Sequence, residues 1–355
     1  MKKILSIIII ATCFISAGFY SGAYSQEINK EDCFFLSSLH YTSRGMAYWY
    51  DRANGGLEIL TGIPYSKLGC KNCHIKSCDE CHKTEADGKA TYSTKAARNQ
   101  KVCLNCHKRE ALIKKIDKSA NQEDVHFAKG MQCTECHTAR EMHGDGVEYK
   151  SMKQQGVMDT KCEKCHESIK QSVSHKIHDE KLECKSCHVR HVVSCTNCHF
   201  DSLVKKGERA AIKVSGWTFL MNYNGKVTAA NMQTFVVNGN KTFLMFAPQF
   251  SHSIMKDGRK CNACHATEIV DQIKNGEINL TWLKNEKIEN IKGIIPVIDG
   301  SEYNCFYQNY SDGKWIPITD PHEPIIHYAG FGEPLSKEQL NSLTKSMDKI
   351  MKVLK

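Results

Sequence analysis

Beyond its first 25 residues, the chain lacks any apolar run long enough to cross a bilayer as a helix. We therefore expect no integral membrane span in the body of the protein. The N-terminus differs, because Lys2-Lys3 precedes the apolar run Ile4–Ala17 and small residues stand just before Gln26. This order is typical of a secretory signal peptide over residues 1–25, and it predicts export. The alternatives are an uncleaved N-terminal anchor or a lipoprotein attached through Cys13.

Cysteines available for ordinary disulfides are also few. Nineteen cysteines are present, but only Cys13, Cys33 and Cys305 stand outside a repeated motif. A framework of many disulfides is therefore excluded, although an exported protein permits one. Cys33 and Cys305 either form a disulfide between the two ends of the chain or remain two separate buried thiols.

The remaining sixteen cysteines form eight copies of Cys-x-x-Cys-His. We number these motifs 1 to 8 in chain order. They are Cys70, Cys73 and His74; Cys78, Cys81 and His82; Cys103, Cys106 and His107; Cys133, Cys136 and His137; Cys162, Cys165 and His166; Cys184, Cys187 and His188; Cys195, Cys198 and His199; and Cys261, Cys264 and His265.

This motif suits covalent attachment of haem. Two cysteines three positions apart lie one turn from each other on the same side of a short helix, so both sulfurs can add to the vinyl groups of one porphyrin. The adjoining histidine is then the proximal iron ligand. Zinc sites also use Cys-x-x-Cys pairs, but they do not require a histidine after every pair. The sequence therefore predicts eight covalent c-type haems.

The charge of the chain must be judged with these cofactors in place. The formal charge is +9 at pH 7, and removal of the two signal-peptide lysines leaves +7. Sixteen haem propionates and eight ferric cores bring the oxidised protein to about −1, and the reduced protein to about −9. The basic residues thus offset the charge of the cofactor, and we expect no nucleic-acid partner.

Motif spacing predicts that some haems are neighbours. Only three residues separate His74 from Cys78, a span of at most about 14 Å. His188 and Cys195 are seven steps apart, at most about 25 Å. The first and second haems, and the sixth and seventh, are therefore expected to lie close together, as electron transfer between haems requires.

Nine histidines outside the motifs can supply distal iron ligands to eight haems. Three of them precede a motif by six to nine residues, an offset common in stacked bis-histidine haems: His126, His178 and His252. The other candidates are His40, His143, His175, His191, His322 and His327. Two axial histidines close the iron to substrate and favour a low potential, whereas catalysis requires one haem with an open or labile sixth position.

The predicted fold is that of a multihaem cytochrome c in two parts. Residues 26–204 are expected to form a haem-cored domain of short helices and loops that carries seven haems and opens with an aromatic segment, 26–69. Its helical stretches are predicted at Ala96–His107, Arg109–Lys118 and Cys162–Ser172. Residues 205–355 are expected to form an α+β domain that holds the eighth haem.

The C-terminal part shows strand and helix signals of its own. A three-stranded meander is predicted over Trp217–Asn222, Val227–Val237 and Thr242–Phe246, with Asn-Gly turn signals between the strands. Further short strands are predicted at Asn279–Leu283, Ile294–Ile298 and Trp315–Ile318. A terminal helix begins with a capping box at Ser336 and Gln339, and its apolar face either packs on its own domain or binds a partner.

On these motifs the chain resembles the multihaem cytochromes c, which implies covalent haem at all eight sites. The haem number and the close motif pairs also resemble the octahaem family of tetrathionate reductase and hydroxylamine oxidoreductase. The catalytic lysine of the first type and the cross-linked tyrosine of the second cannot be placed in this sequence. All eight motifs end in histidine, so the lysine variant of nitrite reductases is absent.

Two functions follow from this reading. The first is electron transfer through mostly bis-histidine, low-potential haems in a respiratory chain or conduit, periplasmic or extracellular. Its partners would be other cytochromes or a quinol-oxidising complex, with a homo- or hetero-assembly open. The alternative is a multihaem oxidoreductase that acts on a small nitrogen or sulfur compound at one open haem.

Overall fold

The computed structural model describes residues 34–69, 75–169 and 172–346. The expected signal peptide, Cys13, Cys33, motif 1 and the last turns of the predicted terminal helix lie outside these ranges. The predictions made for them, including the disulfide between Cys33 and Cys305, stay predictions.

The helices of the described part are short, and only one exceeds two turns. The α-helices are α1 (Leu39–Thr42), α2 (Arg44–Tyr50), α3 (Glu58–Thr61), α4 (Asp79–His82), α5 (Thr94–Ala97), α6 (Gln100–Cys106), α7 (Lys108–Ser119), α8 (Val125–Ala128), α9 (Ala139–His143), α10 (Val173–His178), α11 (Cys184–His188), α12 (Phe200–Lys206), α13 (Glu268–Lys274) and α14 (Lys337–Leu343). Single 3₁₀ turns cover Phe34–Ser37, Arg52–Asn54, Tyr65–Lys67, Cys133–Glu135, Cys162–Lys164, Asp179–Lys181 and Cys261–Ala263.

The strands lie mainly in the second half of the chain. They are β1 (Lys83–Ala86), β2 (Lys89–Tyr92), β3 (Val192–His199), β4 (Ala210–Tyr223), β5 (Lys226–Val237), β6 (Lys241–Pro248), β7 (Glu277–Asn279), β8 (Thr281–Lys284), β9 (Lys287–Asn290), β10 (Gly293–Pro296), β11 (Glu302–Asn304), β12 (Gln308–Ser311), β13 (Lys314–Pro317) and β14 (Ile325–Tyr328). The hairpin of β1 and β2 is exposed along its whole length.

A six-stranded sheet with the order β10-β4-β3-β5-β6-β14 organises this half. The predicted meander is confirmed as β4, β5 and β6, joined antiparallel. Asn224 and Gly225 form the first turn with φ of 52° and 79°, as a two-residue hairpin of this type requires. β4 and β5 pair directly only from Phe219 and Ala230 toward that turn. Beyond this point they separate, and β3 lies between them.

The protein core lies on this sheet. Its largest fully buried side chains include Trp217, Phe219, Phe246 and Met232, which belong to one cluster with residues of β10 and α13. The capping box of α14 is confirmed, and Leu340 and Leu343 pack against the core, as expected for a helix that packs on its own domain.

Two local predictions are wrong. The stretch Cys162–Ser172 is not one helix, because only Cys162–Lys164 forms a 3₁₀ turn and residues 165–169 have no regular structure. Motif 7 is not a helical turn, because it lies in β3. The division at residues 204 and 205 stays a prediction, and β3, which precedes it, pairs with strands that follow it.

Candidate functional site

Six of the seven described motifs form the predicted helical turn. The backbone N–H of the motif histidine donates to the carbonyl of the first cysteine at 2.8–3.0 Å in motifs 2, 3, 4, 5 and 8. Motif 6 is itself helix α11. Because this turn brings two cysteines and a histidine to one side of the backbone, the geometry fits attachment of one porphyrin to each motif.

Motif 7 reaches its position differently. In an ideal strand, Cys195 and Cys198 would point to opposite faces, since side chains alternate. The register of β3 on β4 is interrupted between Thr196 and His199, and Asn197 adopts a positive φ of 51°. Asn197 is fully buried, its N–H donates to Thr234 Oγ1, and its amide donates to the Phe306 carbonyl. The bulge therefore changes the alternation within the motif, and the sheet holds it in place.

Each of six motif histidines lies opposite a histidine from outside the motifs. The ring centres of these pairs are 6.0–6.4 Å apart: His82 with His143, His107 with His40, His137 with His252, His166 with His126, His188 with His175, and His265 with His178. In each pair, one ring adjoins an attachment motif and the other is a distal candidate.

This spacing matches an iron between two imidazoles. Two metal–nitrogen bonds of about 2 Å, and about 1 Å from each nitrogen to its ring centre, place the ring centres about 6 Å apart. A direct hydrogen bond between two imidazoles would need a proton on one of the two facing nitrogens. It would also not account for the cysteines that stand beside each pair. The residues present thus fit haem with two axial histidines at motifs 2, 3, 4, 5, 6 and 8.

The second ring nitrogen supports the same arrangement. Nδ1 of His137 and Nδ1 of His252 contact carboxylates, and Nδ1 of His188 contacts the Met255 carbonyl at 3.2 Å. Nδ1 of His178 and Nδ1 of His265 also contact backbone carbonyls, at 2.9 and 3.0 Å. With Nδ1 engaged, Nε2 is the nitrogen left for a metal.

Burial favours the protonation state that binds a metal. Burial, followed by the nearby His107, lowers the pKa of His40. Burial also lowers the pKa of His107 and of His265. A lowered pKa keeps an imidazole neutral near pH 7, and neutral imidazole is the ligand form.

Three distal candidates do not lie opposite a described motif histidine. Nε2 of His191 bonds Asp117 Oδ1 at 2.8 Å, in a buried contact. His327 packs against Trp49 and Phe243, with Nε2 buried and unpartnered. His322 is exposed on the loop before β14. Since motif 1 lies outside the described residues, its distal ligand stays a prediction.

Contacts between cysteines give the order of the motifs in space. Cys103 of motif 3 hydrogen-bonds Cys133 of motif 4, and Cys162 of motif 5 hydrogen-bonds Cys184 of motif 6. Electrostatic interactions join the remaining neighbours. Cys81 of motif 2 interacts with Cys106 of motif 3, Cys136 of motif 4 with Cys165 of motif 5, and Cys187 of motif 6 with Cys261 and Cys264 of motif 8. Motifs 2, 3, 4, 5, 6 and 8 therefore form one continuous row.

The carboxylates that are hydrogen-bonded to His137 and His252 were not predicted from the sequence. Glu141 follows His137 by four residues, a spacing that places both on one helical face and was therefore available as a signal. Glu110 and His252 are 142 residues apart, and no local pattern joins them. Across residues 34–69, 75–169 and 172–346, no three His, Cys, Asp or Glu side chains group to hold a metal ion by themselves. No helix in the described part is long and apolar enough to cross a membrane.

Comparison with known proteins supports a relationship to multihaem redox proteins. The chain is 25% identical over 218 residues to the dissimilatory sulfite reductase MccA of Wolinella succinogenes, covering 50% of this chain and 30% of that protein. The match supports a multihaem cytochrome-like relationship. The matched region is thus less than a third of the relative's length. No family model and no solved structure matches the chain.

Proposed function

We propose that this protein transfers electrons along a row of covalently bound c-type haems. The observation that carries the proposal is the set of six histidine pairs, each beside a Cys-x-x-Cys-His motif. When bound, the haems supply one-electron exchange between Fe(III) and Fe(II). The sequence predicts eight of these haems.

The protein chain would hold neighbouring haems close together and limit side reactions at their irons. Cysteines of successive motifs lie near one another, and the hydrogen-bonded pair Cys103 and Cys133, for example, would hold two porphyrin edges side by side. The six histidine pairs would hold the haem irons from both sides, which suits electron transfer and would keep small molecules from binding. The expected donors and acceptors are redox partner proteins outside the cell membrane.

Stopped-flow spectroscopy on the full chain tests this function. We expect haem analysis to give eight haems per chain, and a low-potential viologen radical to reduce them reversibly. A ferric acceptor added afterwards should reoxidise at least the six haems of the row. A chain isolated without haem, or haems that take no electrons from the donor, would contradict the proposal.

A second candidate function is redox catalysis at the haem of motif 7. His199 has the ring of Tyr310 6.1 Å away, at an angle of 60°. Among the described residues, no histidine ring lies opposite His199, in contrast to motifs 2 to 6 and 8. The Ser202 N–H donates to His199 Nδ1 at 3.2 Å, a bond that would be given up if Nε2 bound iron, because Nδ1 would then carry the proton. The similarity to a sulfite reductase favours a small sulfur oxyanion as substrate.

EPR of the oxidised protein separates the two candidates. An open site at motif 7 predicts a high-spin ferric signal of about one haem per chain, lost when Cys195 and Cys198 are both replaced by serine. Sulfite should then reoxidise the reduced protein. His322→Ala serves as the control, because His322 lies opposite no motif histidine. An entirely low-spin spectrum would exclude this second function and leave electron transfer.

A further inference from the structure

The two histidines opposite each other at motif 4 are both hydrogen-bonded to glutamates. Glu141 Oε2 lies 2.7 Å from His137 Nδ1, and Glu110 Oε2 lies 2.7 Å from His252 Nδ1. The Glu141 side chain is fully buried, and that of Glu110 is only 19% exposed. Each iron ligand at this site therefore has a carboxylate directly behind it.

The buried glutamate is held in place by backbone groups. Glu141 Oε1 accepts the N–H groups of Asp159 and Thr160, and it also accepts the Thr160 hydroxyl at 2.9 Å. Arg140 fixes this loop by donating to Asp159 and to the carbonyls of residues 156 and 157. Glu141 is thus a fixed carboxylate.

No other described pair has this surrounding. At motif 5, only His126 contacts a carboxylate, Asp124, at a longer 3.2 Å. At motif 8, both histidines contact neutral backbone carbonyls. At motif 3, neither His40 nor His107 is hydrogen-bonded to a carboxylate, and Glu110 acts on His107 only through its charge. The row thus passes from ligands without a carboxylate hydrogen bond at motif 3 to two carboxylate-bonded ligands at motif 4.

We propose that Glu110 and Glu141 make the haem of motif 4 the lowest-potential centre of the row. With Nε2 bound to iron, Nδ1 would carry the proton and donate a hydrogen bond to the carboxylate, which would stay charged. This bond makes the imidazole a stronger donor, and the carboxylate charge stabilises Fe(III) more than Fe(II). In the reduction itself, Fe(III) gains one electron from the donor and becomes Fe(II), and no bond forms or breaks.

This arrangement divides the row in two. Motifs 2 and 3 lie on one side of the low-potential centre, and motifs 5, 6 and 8 lie on the other. At intermediate potentials, electrons reside on either side while the centre between them stays oxidised. Glu110 and Glu141 therefore control passage between the two groups. This inference rests on the proposed function, since it requires haem at the row.

Potentiometric titration of the holoprotein, followed by EPR, tests the inference. Glu110→Gln and Glu141→Gln should each raise the fraction of Fe(II) at the lowest-potential centre about tenfold at a fixed potential, and the double variant should raise it further. Glu123→Gln is the control, because it removes an exposed charge that contacts no axial histidine. His252→Ala identifies the signal, since it removes the distal ligand of this haem alone.

Distinct outcomes decide the matter. If the lowest-potential centre moves no more than in Glu123→Gln, or if its signal is not the one lost in His252→Ala, the inference is wrong. Normal haem content and electron transfer in these variants would then leave the proposed function intact. Should Glu141→Gln fail to fold because Glu141 is buried, the partly exposed Glu110 supplies the same test alone.

Discussion

Removal of the haem attachment site at motif 5 should cut the row between motifs 4 and 6. We expect that replacing Cys162 and Cys165 by serine lowers the haem content by one and nearly abolishes electron arrival at motif 8 from the motif 2 end. The reason is geometric, because motif 5 is the link in both directions. Cys136 interacts electrostatically with Cys165, and Cys162 is hydrogen-bonded to Cys184.

A photosensitiser at one end and a reporter at the other measure this effect. Lys89 lies in the exposed hairpin that follows motif 2, so Lys89→Cys provides the point of attachment. His178→Ala should give the haem of motif 8 a distinct high-spin spectrum, since His178 lies opposite His265. Burial raises the pKa of the other thiol in the described part, Cys305, to about 12, which makes it unreactive toward the label.

Serine replacement of Cys195 and Cys198 is the matched control. It also removes one attachment site, while the interactions that order motifs 2, 3, 4, 5, 6 and 8 are made by the cysteines of those motifs. Electron arrival at motif 8 should therefore persist on the time scale of the parent protein. Equal slowing in the two variants would show that the order of the row is not the one derived from the cysteine contacts.

Among the substitutions proposed, Trp217→Ala should cause the largest decrease in the free energy of unfolding, about 3–5 kcal/mol. The Trp217 side chain is 1% exposed, contacts Phe219, and donates its indole N–H to Ser194 Oγ at 2.8 Å. Its removal leaves a cavity beside β3 and takes away the hydrogen bond that the Ser194 hydroxyl accepts on that strand. Ser194 in turn donates to Asn231, so the change also disturbs the polar contacts between β3 and β5.

Chemical denaturation followed by tryptophan fluorescence and circular dichroism measures this loss. Trp282→Ala is the control, because Trp282 is 38% exposed and should cost less than about 1 kcal/mol. We also expect the haem of motif 7 to become more accessible to exogenous ligands, since β3 carries its cysteines. An equal effect of the two substitutions would show that the sheet does not depend on this residue.

Local signals in the sequence anticipated much of the secondary structure. The Asn224-Gly225 turn and the capping box at Ser336 and Gln339 were predicted because their chemistry is contained in a few adjacent residues. The helix through Cys162–Ser172 was wrong because a Cys-x-x-Cys-His motif requires only one turn. The strand at motif 7 was missed because a local cysteine spacing carries no information about a neighbouring sheet.

The sequence by itself determined the chemistry of this protein. Eight motifs with fixed internal spacing predict the sites of haem attachment, and their histidines need no distant partner to be recognised. Only the tertiary structure decided which distal histidine lies opposite which motif, since members of these pairs, such as His137 and His252, are far apart in the chain. It also placed Glu110 behind His252 and ordered the motifs in a row. Such contacts arise from chain folding, which local sequence patterns do not encode.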